Sequence, residues 1–192
     1  NNVFALHVTK NGVIWIGTYG GGLARYNPAT DDFTRYTKDT GLPSNYIYAI
    51  TSTNDDMLWL GTNKGLVRYH PDSGSVEHFY QQEGDHHSLS QNTVVSLLDD
   101  GENTLWVGTF LGLNKFDKKT GIFSHYNKAN VGLSDNVITS LYRDTKGALW
   151  VGTMNGLNRL DVETQSITQF GVEDGLPNGN VFGIMEDNLG QL

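Results

Sequence analysis

Trp15-Ile-Gly-Thr18, Trp59-Leu-Gly-Thr62, Trp106-Val-Gly-Thr109 and Trp150-Val-Gly-Thr153 are one tetrapeptide written four times, at intervals of 44, 47 and 44 residues. A period in the forties, built of short strands punctuated by glycine turns, is that of a β-propeller blade, in which each repeat is one small sheet. Working outward from the tryptophans, each unit reads as four strands. The first runs through residues 2–6, 46–50, 93–97 and 137–141, with a small residue before its last position: Ala5, Ala49, Ser96 and Ser140. Inner strands crowd around a central axis, so small side chains there are a packing requirement. The second strand carries the tryptophan and is reached through turns such as 54–56 and 144–147, rich in Asn, Asp and Gly. A Gly-Leu pair opens the third strand at Gly22, Gly65, Gly112 and Gly156. The fourth, at 33–36, 76–79, 123–126 and 167–170, alternates apolar and polar residues, as an outer strand with one wet face does.

Linkers at 41–45, 88–92, 132–136 and 175–180 return the chain to the next centre, and the inner-strand pattern then recurs a fifth time at 180–187. The expected architecture is all-β: a propeller fragment of four consecutive four-stranded antiparallel blades, at about 1–40, 41–84, 85–131 and 132–174, plus one extra inner strand. No helix is expected. Such an arc should stay open, its ends falling inside a longer array, with flat apolar end faces that include Trp15 at one end and strand 166–170 at the other.

Composition narrows the function classes. The chain has 192 residues, 13 Lys and Arg against 21 Asp and Glu, a formal charge of −8 and no cysteine. Scattered single cations provide no footprint for nucleic acid, and no apolar run reaches the ~18 residues of a membrane span. Thiol chemistry is excluded. The acids mostly occupy turns, among them Asp55, Asp56, Asp99, Asp100, Asp144 and Asp187, so no carboxylate pair for glycoside chemistry can be assembled. His86 and His87, in the insertion at 81–88, and His78 lack metal-ligand spacing. We expect no catalytic residue, no metal and no cofactor.

At its WxGT, GLxR and GLPSNxV segments the whole chain resembles the two-component regulator propeller repeat. The best-known proteins of that family are hybrid two-component sensors of Bacteroidetes, in which two seven-bladed propellers precede a membrane helix and a histidine kinase. The resemblance implies an arc of a seven-bladed ring, a periplasmic location and oligosaccharide recognition. No fixed sugar-binding motif travels with the repeat, so candidate residues come from the loops that vary within it. Tyr19 and Phe110 could stack on a sugar face, Lys64 could meet an acidic sugar, Asn155 holds the same variable turn, and Tyr46 and Tyr48 flank the channel mouth. The tryptophans, fixed in every blade, belong to the core. The expected function is a non-catalytic ligand-sensing module, with an oligosaccharide as ligand and with self-association or the rest of a parent propeller as partner. The alternative is a protein-interaction or dimerisation scaffold without a small-molecule ligand. A lyase of related shape would require a His and acid cluster that the sequence does not offer.

Overall fold

The computed structural model describes residues 2–53, 57–101 and 103–192, so the turn expected at 54–56 lies outside the described residues. Four antiparallel sheets follow one another along the chain, each in simple sequential strand order. Blade one comprises β1 (Asn2–Val8), β2 (Ile14–Tyr19), β3 (Leu23–Asn27) and β4 (Asp32–Tyr36), and blade two β5 (Ile47–Ser52), β6 (Leu58–Thr62), β7 (Gly65–Tyr69) and β8 (Val76–Phe79). Blade three is β9 (Val94–Asp99), β10 (Thr104–Thr109), β11 (Gly112–Asp117) and β12 (Phe123–Tyr126), and blade four is β13 (Ile138–Arg143), β14 (Leu149–Thr153), β15 (Gly156–Leu160) and β16 (Ile167–Phe170). Two single-turn 3-10 helices, at Lys38–Thr40 and Val172–Asp174, interrupt the otherwise β chain. Neither was expected. Each ends on a glycine in the left-handed region, Gly41 or Gly175, and tightens the start of a linker.

The WxGT tetrapeptide is legible atom by atom. Every tryptophan pairs across its sheet with a cation on the third strand, Trp15 with Arg25, Trp59 with Arg68, Trp106 with Lys115 and Trp150 with Arg159. Each cation lies 5.8–6.0 Å from the indole centroid. The glycine is required by its neighbour rather than by its backbone: a Cβ on Gly108 would stand 2.7 Å from the Ile138 side chain of the next inner strand. The threonine closes the turn to the third strand, Thr62 Oγ1 donating to Gly65 O at 2.8 Å and Thr109 Oγ1 to Gly112 O at 2.8 Å. Gly65, at φ +122°, passes so near Phe79 O that a Cβ there would be 2.2 Å away.

Blades stack by repeating one interface. The tail face of a blade presents its tryptophan, the leucine of the Gly-Leu pair and an aromatic from the fourth strand; the head face of the next presents apolar residues from its strands. Trp15 and Leu23 thus pack with Leu58, Leu60, Val67 and Tyr69, and Trp59 and Leu66 with Leu105, Val107 and Phe116. Trp106, Leu113 and Tyr126 meet Leu149, Val151 and Leu160 in the same way. Three such clusters join the four blades in an open arc, since a closed ring would require a fourth between blade four and blade one.

Two end-of-arc expectations need correction. Trp15 is 2% exposed, because it lies on the tail face of blade one, against blade two, and not on an outer end. The uncovered end of blade one is instead its head face, where Leu6 is 67% and Phe33 51% exposed. The segment 180–187 forms no strand ladder. It stands in the inner-strand position all the same: Val181 N donates to Thr153 O at 3.1 Å, and Val181 O lies where a Gly152 Cβ would meet it at 2.6 Å. Among the described residues no strand pairs with it in a sheet.

Candidate ligand-binding site

The inner strands share an irregularity that decides where side chains point. Their register against the second strand skips one residue, between Val3 and Ala5, between Ile47 and Ala49 and between Ile138 and Ser140, with the same shift in blade three. A bulge re-aims the side chain of the skipped residue. These residues are Phe4, Tyr48, Val95 and Thr139. In blades one and two they are aromatic.

Around Phe4 and Tyr48 four rings gather. Tyr19, the last residue of β2, meets Tyr46 edge-on at 4.8 Å between centroids, Phe4 at 5.6 Å and Tyr48 at 6.4 Å. Phe4 and Tyr48 are 5.9 Å apart. The group is held by backbone rather than by side chains: Tyr19 bridges Tyr46, and Gly20 N and Gly22 N both donate to Asn45 O, at 3.1 and 2.9 Å. The turn of blade one is one residue longer than the others and carries three glycines, Gly20-Gly21-Gly22, where each of the others has one. Tyr19 and Phe4 are 50% and 56% exposed. Burial, and next the phenols of Tyr19 and Tyr46, hold the Tyr48 hydroxyl above its ordinary pKa, so the group stays neutral across the physiological range. The result is an aromatic platform of one phenylalanine and three tyrosines, open in part to solvent. Such a platform can take the apolar face of a sugar ring at small entropic cost.

Of the sequence candidates, Tyr19, Tyr46 and Tyr48 are brought together. Lys64 lies exposed on the β6–β7 turn, its carbonyl hydrogen-bonded at 2.7 Å to His78 Nε2. Phe110 is exposed on the β10–β11 turn and has no ring–ring contact among the described residues. Asn155 donates its backbone N–H to Thr153 Oγ1 at 3.1 Å and lines a separate hollow of about 300 Å³ with Lys128, Gln169 and Glu173. The insertion at 81–88 walls a larger hollow of about 810 Å³ over blade three, with Leu111, His125 and Asn136 opposite. Among the described residues no three His, Asp or Glu side chains are grouped to hold a metal, and no helix is long and apolar enough to cross a membrane.

Four stretches, at residues 1–20, 41–64, 88–110 and 132–155, match the family described as two component regulator propeller. The chain is built of two-component regulator propeller repeats. Among solved structures, the extracellular domain of a hybrid two component system protein of B. thetaiotaomicron aligns over 99% of this chain with 27% identity and a TM-score of 0.81. Among curated proteins, histidine kinase P4 of Formosa agariphila is 31% identical over 70 residues. The chain spans 25% of that extracellular domain, and its match spans 5% of the kinase. Virginiamycin B lyase of Staphylococcus aureus aligns over 98% of the chain with a TM-score of 0.74 but 17% identity, a likeness of fold alone.

In this regulator propeller the sequence reading missed Phe4. Its signal was present, since Phe4 and Tyr48 hold the same place one residue before Ala5 and Ala49, but only the bulge turns that place toward Tyr19. It also missed the polar seam beneath the turns. Buried Asn158 accepts from Ser134 N at 2.9 Å and donates to Ser134 Oγ at 2.9 Å, while Asn114 accepts from Ser90 N at 3.0 Å. In the linkers, Asn45, Asn92 and Asn136 accept from the N–H of Lys38, Gln81 and Lys128. These bonds give the serine and asparagine of the GLPSN pattern a structural role and leave the turn residues free to vary.

Proposed function

We propose that this chain is the ligand-reading part of an extracytoplasmic two-component sensor, periplasmic and non-catalytic, and that it recognises an oligosaccharide on the platform of Phe4, Tyr19, Tyr46 and Tyr48. The observation that carries this reading is the platform itself. Blade geometry requires an aromatic at none of the four positions, because Val95 and Thr139 hold the place of Phe4 and Tyr48, Thr93 and Val137 that of Tyr46, and Asn63 and Met154 that of Tyr19, in other blades. Four half-open rings fixed by backbone contacts are a poor use of apolar surface unless something stacks on them. The likeness to a hybrid two component system extracellular domain supports the sensor setting.

Titration calorimetry against a panel of neutral and acidic oligosaccharides tests the reading. At least one member of the panel is expected to bind, and Tyr48→Ala to weaken it about fivefold or more, on the ~1–3 kcal/mol that stacking of a ring on an aromatic side chain contributes. Binding that is unchanged in Tyr48→Ala, or absent across the panel, would contradict it.

A further inference from the structure

We propose that the hollow over blade three is a second saccharide site, separate from the platform, which takes an uncharged sugar unit and turns away an acidic one. The linker into blade three departs from the repeat: Trp59 and Trp106 are 47 residues apart, against 44 for the other neighbouring pairs. The added residues are folded down rather than left loose. Asp85 Oδ1 accepts from His87 N at 2.8 Å, Ser88 Oγ from Gln82 N at 2.9 Å, and Asn92 Oδ1 from Gln81 N at 2.7 Å. The segment is also pinned to β12, where His87 O accepts from Phe123 N at 2.9 Å and Ser88 O from His125 Nε2 at 2.8 Å. Closing the insertion thus uses Asp85, His87 and Ser88. It makes no use of the side chains of Gln82, Glu83 and His86, which line the hollow of about 810 Å³ without a hydrogen bond or ion pair of their own among the described residues. Polar side chains that the fold does not need, on a loop fixed to a rigid sheet, are where recognition is built.

The other lining residues supply oriented partners. Asn127 Oδ1 accepts from Ala129 N and Asn130 N at 2.9 and 3.0 Å, and Asn136 Oδ1 from Lys128 N at 2.8 Å, so each amide is held with its Nδ2 free to donate. His125 Nε2 can only be the donor to a carbonyl, so the neutral ring keeps Nδ1 as an acceptor. Glu83 and the second oxygen of Asp85 are acceptors too. A sugar hydroxyl donates and accepts at once, and an amide N–H with a carboxylate or ring nitrogen satisfies both roles. Leu111, 53% exposed, and Leu89 give the hollow an apolar side for the C–H face of a ring. Charge decides between sugars. No Lys or Arg lines this hollow, and Lys128 lines the smaller one instead. An acidic sugar would meet Glu83 and Asp85 with no cation beside it, and like charges set together suppress the wrong partner. The ligand class rests on the reading of the chain as a saccharide sensor, but the site does not depend on the platform.

Nuclear magnetic resonance of the isotope-labelled full chain tests this, with neutral gluco-, galacto- and manno-oligosaccharides and an oligogalacturonate as probes. At least one neutral probe is expected to shift the side-chain amide signals of Gln82, Asn127 and Asn136, and the oligogalacturonate to leave them in place. Glu83→Ala, on the exposed insertion, is expected to keep the backbone spectrum and to weaken the neutral probe about fivefold or more, as loss of a hydrogen bond to a charged group does. Tyr48→Ala is expected to leave these shifts unchanged. Neutral probes that shift only signals around Tyr19, Tyr46 and Tyr48 would overturn the second site and keep the platform; shifts in neither place would overturn both. An oligogalacturonate that moves the three amides as far as the neutral probes do, or a Glu83→Ala chain that binds as tightly as the unaltered one, would also overturn the proposal.

Discussion

Trp59, Trp106 and Trp150 hold one strand position, yet their indole N–H groups fare differently. Trp106 Nε1 donates to Asp100 at 2.9 Å and Trp150 Nε1 to Asp144 at 2.8 Å, but in blade two the corresponding residue is Thr53. Trp59 Nε1 is the buried side-chain donor without a hydrogen-bond partner among the described residues. Thr53→Asp is expected to supply the missing acceptor and raise stability by about 1 kcal/mol, a few degrees in melting temperature for a chain of this size. An unchanged or lowered Tm would show that the donor is satisfied some other way. The Asp144 carboxyl carries its own consequence. Burial pushes its pKa up, but hydrogen bonds from Trp150, Ala148 and Lys146 outweigh that and hold it below the ordinary 3.8. A carboxyl depressed on folding contributes stability above its unfolded pKa and loses it as pH falls through the folded one. Urea midpoints followed downward from neutral pH are therefore expected to decline through and below the carboxylate range, and less steeply in Asp144→Asn. Equal slopes would remove Asp144 from the account.

The blade was largely legible in the sequence because each of its requirements falls on a distinctive residue: a tryptophan to fill the interface, a glycine where Ile138 approaches Gly108, a threonine to close the turn. What sequence left dark depends on contacts between blades. Which face a tryptophan uses is set by the direction of stacking, and nothing in the tetrapeptide states that direction, so Trp15 was expected at an end and is found inside. Buried Asn114 and Asn158 occupy places held by Val67 and Ala24 in the other blades, and only the linker serine bonded to them explains the exchange. At this scale truncation separates covered interfaces from the open one. Trp106→Ala, at 0% exposure within a complete interface, is expected to cost about 3–5 kcal/mol in denaturant unfolding. Trp150→Ala, on the half-open tail face, is expected to cost distinctly less. Equal losses would mean that the tail face is covered in solution.

For the whole molecule, the arc places an aromatic platform at one end and plainer turns along the rest. The candidate site was half legible: the variable turn after WxGT and the tyrosines of the linker could be named, whereas the bulge that recruits Phe4, and the dispersal of Lys64, Phe110 and Asn155 to other turns, are properties of three-dimensional register. A ligand seated on the platform must touch three chain segments at once: β1 around Phe4, the turn after Tyr19, and the linker with β5 from Asn45 to Tyr48. Hydrogen–deuterium exchange measured with and without the oligosaccharide that gives the strongest heat of binding tests this most directly. Joint protection of peptides covering 2–8, 18–23 and 44–50, with little change at 153–157 and 171–179, is the predicted result. Protection confined to the blade-three and blade-four turns, or none in the first two blades, would contradict it.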